Sequence, residues 1–147
     1  MSKSSDILIS VEERHARSML NGLKSVELRK KYVNVLPGTR IWIYSKLPVG
    51  MIQVVACVDR VEMGLPADIW HKFRSECAIS KHEFDNYFEG SKSANAIVLS
   101  DVRPVTQDLS LSQIRETVAN FQPPQFFKRL DYNSPELGIF NAALASS

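Results

Sequence analysis

The feature that most constrains the fold is the run from Met51 to Val58, in which Gln53 alone interrupts a series of apolar side chains. Pro48 and Gly50 break the chain just before it. A short apolar run bounded by turn residues is typical of a β-strand that is covered on both faces. The chain must therefore supply covering elements for both sides of this strand, and residues 59–62 are expected to extend it at the surface.

Strand and helix patterns alternate along the rest of the chain. Apolar alternation and β-forming residues predict further strands near residues 7–9, 25–29, 40–46 and 94–99. Apolar residues at helical spacing predict helices after residue 10, over 66–77, over 80–90 and near residue 110. About five strands with three to four helices indicate an α+β domain, built on a small curled or barrel-like mixed β-sheet.

The chain has 147 residues, which is the size of one ordinary domain. We assign that domain to residues 6–131. Residues 132–147 contain small and apolar side chains with little pattern, so a partly ordered C-terminal tail is expected there.

Local signals predict where several helices begin and end. Gly22 is expected to end the first helix, because glycine takes a positive φ without a Cβ clash. A Ser three residues before Glu or Gln forms a capping box at a helix start. This pattern occurs at three places: Ser10 with Glu13, Ser80 with Glu83, and Ser110 with Gln113.

Composition excludes several classes of protein. A hydrophobic fraction of 44% and a charged fraction of 23% are near globular averages, which excludes disordered and collagen-like chains. The first six residues lack the apolar segment of a signal peptide, and no window reaches the roughly 18 apolar residues of a membrane span. A cytoplasmic protein without a membrane partner is expected. The two cysteines lack metal-ligand spacing and the three histidines are far apart, so neither a metal site nor a cofactor is predicted.

A cluster of positive charge lies near the first helix. The net charge of +2 and the pI near 8.6 are too mild for a dedicated nucleic-acid-binding domain. Five cations nevertheless fall close together, namely Lys24, Arg29, Lys30, Lys31 and Arg40. They could contact backbone phosphates, or they could form an ordinary solvated rim.

Charges of both signs also interrupt the apolar run that follows Gly22. Strand alternation puts Val26 and Leu28 on one face, and Glu27 and Arg29 on the other. The direction of Lys24 stays open, because it depends on how the turn after Gly22 aims the chain. These charges either form a surface salt-bridge cluster or contact a ligand.

The spacing G-x-K-x-x-E-x-R at residues 22–29, followed by a turn and I-W-I-Y at 41–44, resembles the ASCH family of the PUA-like superfamily. The helix over 80–90 and the segment P-P-Q-F at 123–126 are also similar to bacterial members, so the resemblance covers about residues 6–130. It implies a small β-barrel, with a cleft between barrel and helices that binds RNA or modified nucleosides.

Some small members of that family are amidohydrolases of N4-acylated cytidines, which use a Lys and a Thr in the signature and a Glu on the later helix. By this resemblance Lys24 matches the Lys and Glu83 matches the Glu, while Glu27 occupies the Thr position. A carboxylate cannot take the part of an activated hydroxyl. Ser25 is then the substitute nucleophile, activated by Lys24 or Glu83, although the capping box alone also accounts for Glu83.

Three more residues complete the candidate ligand site formed by Lys24, Glu27 and Arg29. Tyr44 and Lys46 share a strand face with Trp42, and aromatic side chains beside cations suit stacked bases and phosphates. We assign Trp42 to the core and Tyr44 to the site. Gln125 follows a rigid Pro-Pro turn, which can hold its amide at the edge of a cleft.

Three functional hypotheses follow. The first is a domain that binds RNA or a nucleoside-like small molecule. The second is an enzyme on the same ligand class, either a ribonuclease or a modified-nucleoside amidohydrolase, using Lys24 and Glu83. The third is a regulatory interaction protein without a nucleotide ligand, in which two copies pair as a homodimer.

Overall fold

The computed structural model describes residues 6–145 of the chain. Within that range six strands form one sheet: β1 (Asp6–Val11), β2 (Val26–Arg29), β3 (Arg40–Ser45), β4 (Met51–Gly64), β5 (Ala94–Ser110) and β6 (Phe127–Leu130). Five helices surround the sheet: α1 (Glu13–Leu20), α2 (Pro66–Phe73), α3 (Lys81–Phe88), α4 (Leu111–Thr117) and α5 (Pro135–Ala145).

The sheet is mixed and curled. Its strand order is β2-β5-β4-β3-β1-β6, and β1 and β3 are parallel while the other neighbours are antiparallel. The long strands β4 and β5 pair with three register shifts, and such bulges bend a strand and increase its twist. The predicted α+β class with a curled mixed sheet is confirmed. The described residues add one strand, β6, and one helix, α5, that the sequence patterns did not predict.

The central apolar run is covered on both faces, as predicted. Val54, Ala56 and Val58 of β4 pack with the buried side chains of α1, including Ala16 and Met19. Ile52 and Val55 join the cluster on the opposite face. The strand also continues beyond residue 62 to Gly64.

The second face of the sheet is covered by α4 and α5. Trp42 is fully buried there, as predicted, and its ring centroid lies 5.2 Å from that of Phe140 in α5. The Trp42 Nε1 donates a hydrogen bond to Asp6 Oδ2 at 2.8 Å. The small and apolar residues after 132 therefore include a helix that packs on the core.

A third cluster places α3 beside β2. Val26 and Leu28 turn toward α2 and α3, where they meet Phe84 and Phe88. The opposite face of β2 therefore carries Glu27 and Arg29, as the alternation predicted. This packing fixes the position of α3, which forms one wall of the candidate site.

The predicted helix ends are confirmed in part. Gly22, the second residue after α1, has φ of +80°, and Ser110 with Gln113 forms a complete capping box. The prediction of a capping box at Ser10 is wrong, because Ser10 lies in β1 and donates its hydroxyl to the Pro124 carbonyl at 2.8 Å. The α1 N-cap is Glu12, which makes no side-chain capping bond.

Over the part of the chain that the structure describes, none of the helices combines the length and apolar character required to cross a membrane.

Candidate functional site

A cleft of about 240 Å³ lies between α1, α3 and the adjacent ends of β1 and β2. Its charged lining combines four cations with three carboxylates: Arg14, Lys24, Arg29 and Lys46, and Glu12, Glu27 and Glu83. The volume is near the lower end for ligand cavities, which are roughly 300–1,000 Å³. The cleft therefore suits a small polar ligand.

The signature residues form the floor of this cleft. Glu27 lies between two cations, with Oε1 at 3.6 Å from Lys24 Nζ and Oε2 accepting a hydrogen bond from Arg29 Nε at 3.0 Å. The side chains of Lys24 and Glu27 are 2% and 9% exposed. These charges form a buried ionic network instead of a solvated surface cluster.

The turn after α1 aims Lys24 into the protein, which settles the direction that the sequence left open. The backbone N–H of Lys24 donates to the Ser18 carbonyl at 3.1 Å, on the far side of the positive-φ Gly22. Lys24 Nζ then donates to the Cys77 carbonyl at 2.7 Å. Its ammonium group is thereby held over Glu27 by the loop that precedes α3.

Arg29 is held almost entirely by protein groups. In addition to the Glu27 contact, its Nη2 donates to the Ser10 carbonyl at 2.8 Å and its Nη1 donates to the Phe126 carbonyl at 3.2 Å. Ser10 belongs to β1 and Phe126 precedes β6, so both partners lie across the opening of the curled sheet from β2. Arg29 therefore positions the site and is poorly placed to bind a phosphate bidentately.

Burial and neighbouring charges act in opposite directions on Glu27. Burial raises the pKa of its carboxyl, but the positive charges of Arg29 and then Lys24 outweigh burial and hold the pKa below its usual value. Glu27 is therefore an anion at neutral pH. Its Oε1 accepts no hydrogen bond from any described residue, so it can accept one from a ligand.

His15 lies in the wall of the cleft, at the first turn of α1. Burial is the main cause that lowers its pKa, and the positive charge of Lys24 lowers it further. The imidazole is therefore neutral at pH 7 and can accept or donate a hydrogen bond.

Glu83 faces Arg14 across the edge of the cleft. Ser80 Oγ accepts from the Glu83 backbone N–H at 3.1 Å, so the serine half of the predicted cap is present. The Glu83 carboxylate turns away from the cap and accepts from Arg14 Nη1 at 2.9 Å, with a second bond from Nη2. The hydrogen bond from Arg14 is the main cause that lowers the pKa of Glu83.

The structure brings together most of the residues that the sequence singled out. Six line the cleft: Lys24, Glu27, Arg29, Lys46, Glu83 and Gln125. Two others do not line it. Ser25 is absent from the cleft lining, and its backbone pairs with Glu76 and Leu99. Tyr44 is 2% exposed and belongs to the core cluster on the second face of the sheet.

The cleft residues that sequence patterns missed include Arg14, His15 and Tyr87. In the sequence, Arg14 lies among charged residues at the start of the first helix and Tyr87 lies between Phe84 and Phe88, so neither pattern indicates a site. The histidine nearest to His15 in sequence is His71. The fold places α1 and α3 on two sides of one opening, where Arg14 meets Glu83. Within residues 6–145, no three His, Cys, Asp or Glu side chains are placed to share a metal ion.

Two further depressions adjoin the cleft. One, which we name the aromatic groove, occupies about 490 Å³ beside the end of β2 and is lined by Tyr32, Tyr87 and Phe126 together with Arg29, Lys30, Lys31, Val33, Gln125 and Phe127. The other occupies about 520 Å³ near Tyr44, Lys46 and Arg115. Gln125 borders all three spaces.

No protein-family model matches the chain. Among curated proteins, it is 32% identical over 120 residues to the ASCH domain-containing ribonuclease of Zymomonas mobilis, covering 82% of this chain and 80% of that protein. The crystal structure of ASCH from Zymomonas mobilis superposes with a TM-score of 0.84 at 30% identity, covering 96% and 94% of the two chains.

A more distant structure shares the fold. Human THYN1 protein, in a complex with DNA that contains 5-methylcytosine, gives a TM-score of 0.57 at 9% identity, covering 95% of this chain and 98% of that one. At that identity the likeness concerns the fold alone. The Zymomonas mobilis relative shares nearly a third of its residues over four fifths of both sequences, together with the fold, and the chain therefore belongs to the ASCH domain family.

Proposed function

We propose that this protein binds RNA or a nucleoside-like ligand in the cleft between the curled sheet and helices α1 and α3. The observation that carries the proposal is that Lys24, Glu27 and Arg29, the charged positions of the family signature, form one preorganised floor in that cleft. The name of the Zymomonas mobilis relative, a ribonuclease, supports RNA as the ligand class.

The cleft offers different chemistry to the two parts of a nucleotide. Lys46 is exposed at the edge and forms no ion pair with any described residue, so its ammonium can contact a phosphate. Glu27 Oε1 and the Gln125 amide offer acceptors and donors for the polar edge of a base or for a ribose hydroxyl. Arg29 keeps Glu27 ionised and in place, and does not itself contact the ligand.

Binding is tested by fluorescence anisotropy with 5′-labelled U8 and A8 RNA at 50 and 200 mM salt. We expect the affinity to fall as the salt concentration rises. Lys46→Ala should weaken binding and make the plot of log affinity against log salt concentration less steep by about 0.7, the value for one phosphate contact to a single strand. Lys92→Ala is the matched control, because Lys92 is also exposed and lines none of the three depressions.

Either of two results contradicts the proposal. One is that the folded wild-type protein binds neither RNA nor nucleosides at low salt. The other is that Lys92→Ala weakens binding as much as Lys46→Ala does, which would locate the RNA elsewhere on the surface.

A second candidate function is cleavage of the bound RNA, which the name of the relative favours. The groups available for proton transfer and charge stabilisation are Lys24 and the neutral His15, while Glu83 is committed to Arg14 and is ionised. The amidohydrolase alternative is less well supported, since Ser25 does not line the cleft. Ser10 does line it, but donates its hydroxyl to Pro124.

Cleavage is tested by following product formation from the same labelled RNA on a denaturing gel. We expect wild-type protein to produce fragments, and Lys24→Met and His15→Gln to slow their appearance. If the protein binds RNA and leaves it intact, it is a binding domain and the catalytic assignment is wrong. If both variants cleave at the wild-type rate, the reaction occurs through other residues.

A further inference from the structure

The aromatic groove adjoins the cleft. Arg29, Tyr87 and Gln125 line both spaces, so the cleft and the groove share a border. The aromatic side chains of the groove are unusually accessible, with Tyr32, Tyr87 and Phe126 exposed at 51%, 38% and 54%. Isolated exposed aromatic residues need no explanation, but three around one depression indicate a binding surface.

Cations lie against these rings. Lys31 Nζ is 4.0 Å from the centroid of the Phe126 ring, and Lys30 Nζ is 4.9 Å from that of Tyr87. Neither lysine forms an ion pair with a described residue, so both charges remain available to a ligand. Aromatic faces flanked by uncompensated cations match the base and the phosphate of an unpaired nucleotide.

The groove is also held in shape by the surrounding backbone. Asn95 Nδ2 lies within hydrogen-bond distance of the carbonyls of Arg29, at 3.4 Å, and Lys30, at 3.2 Å, and so anchors the chain that leads to Tyr32. On the opposite wall, Arg29 Nη1 donates to the Phe126 carbonyl at 3.2 Å. The same guanidinium therefore positions the floor of the cleft and one wall of the groove.

A nucleic-acid occupant fits this groove better than a protein partner. Stable protein interfaces cover roughly 800 Å² on each partner and have apolar centres that exclude charge. The aromatic groove is a small depression, and two lysines lie directly on its rings. Its size and charge suit one stacked base with its adjoining phosphate.

We propose that the aromatic groove holds the base next to the nucleotide in the cleft, stacked on Tyr32 or Phe126, with Lys30 and Lys31 on the adjoining phosphate. This inference rests on the proposed function and narrows it. The ligand is then a single strand of at least two nucleotides, since a base must be unpaired to stack on a side chain. A free nucleoside would occupy the cleft and leave the groove empty.

The test compares the affinities for uridine monophosphate and for the dinucleotide UpU, measured by calorimetry. We expect wild-type protein to prefer UpU, and at least one of Tyr32→Ala and Phe126→Ala to reduce the ratio of the two affinities about tenfold, as expected from loss of one stacking contact. Tyr132→Ala is the control, because Tyr132 is 60% exposed and does not line the groove. Unfolding midpoints verify that each variant is folded.

The outcomes separate this inference from the proposed function. If wild-type protein binds both ligands equally, or if neither variant changes the ratio, the groove holds no base and the cleft alone binds the nucleotide. If wild-type protein binds neither ligand nor longer RNA, both proposals are wrong. A reduced ratio in Tyr132→Ala as well would show that the effect is not specific to the groove.

Discussion

Arg29 Nη2 donates a hydrogen bond to the Ser10 carbonyl at 2.8 Å, across the opening of the curled sheet. Arg29 ends β2, which is one edge of the sheet, and Ser10 belongs to β1, next to the opposite edge. No strand pairing joins these two strands. One side chain therefore supplies a polar link that the backbone ladder does not make.

The first prediction concerns this link. Arg29→Ala removes three hydrogen bonds and leaves the buried Glu27 with Lys24 as its nearest cation. Breaking a buried ion pair from one side is strongly destabilising, so we expect a loss of about 3 kcal/mol in the free energy of unfolding. Urea titration measures it. Arg17→Ala, which removes a largely exposed partner of Glu13, should change stability by less than about 0.5 kcal/mol. Equal effects in the two variants would contradict the assigned role.

The second prediction concerns acid stability. Because the pKa of Glu27 is lower in the folded protein than its ordinary value of 4.5, folding favours the ionised carboxylate. This stabilisation is fully present above the unfolded pKa and is lost as pH falls through the folded pKa. The free energies of unfolding of wild-type protein and Glu27→Gln should therefore differ most at pH 7 and least near pH 3. A difference that stays constant over this range would disprove it.

The third prediction compares two interactions at the N-terminus of α3, the Ser80 cap and the contact between Glu83 and Arg14. Ser80→Ala removes the acceptor for the Glu83 N–H and should cost about 1 kcal/mol. Glu83→Gln keeps that cap and weakens only the contact with Arg14, whose side chain is 49% exposed, so its cost should be below about 0.5 kcal/mol. Chemical denaturation of both variants tests the order. The reverse order would mean that the Glu83 carboxylate stabilises the helix.

The fourth prediction concerns His15. Burial lowers the pKa of this imidazole most, and the Lys24 charge lowers it further. Lys24→Met removes the second cause, so the pKa of His15 should rise toward 6.5 without reaching it. An NMR titration of the imidazole C–H signals measures the pKa. Lys72→Met on α2 serves as the control, and a pKa of His15 that is the same in all three proteins would exclude the predicted coupling.

The fifth prediction concerns the C-terminal helix. Phe140 is fully buried and packs against Trp42, so Phe140→Ala should reduce stability by about 3 kcal/mol or more. The urea concentration at the unfolding midpoint should fall, while the slope of the free energy of unfolding against urea concentration stays unchanged. If the midpoint is the same as in wild-type protein, residues after 131 are dispensable for folding and behave as a tail.

Sequence patterns predicted the strands and helix ends that are determined by residues close together in the chain. The alternation at residues 25–29 set the faces of β2, and Gly22 marked the end of α1. The apolar run at 51–58 required cover on both sides, which α1 and the C-terminal helices provide. β6 has only four residues and follows two prolines. The pattern around it was too short to identify a strand whose pairing with β1 stabilises it.

The site was harder to predict, because its geometry depends on contacts between distant residues. Arg14 and Glu83 are 69 positions apart, and the capping pattern of its own helix sufficed to explain Glu83. Ser10 looked like a helix cap until the strand pairing of β1 extended through it. Strand alternation puts Tyr44 on the same face as Lys46, as predicted for a site residue, but the helices on that face bury Tyr44. The family resemblance identified the residues of the cleft floor, whereas the residues that contact them could be identified only from the structure.

The segment before β6 has a practical consequence. On one side of Gln125 the Pro124 carbonyl accepts from Ser10, and on the other side the Phe126 carbonyl accepts from Arg29. The backbone at position 125 is thus fixed at both neighbours, while its exposed side chain borders three cavities. Replacing this one amide with other side chains offers a route to engineer ligand preference while the scaffold keeps its stability.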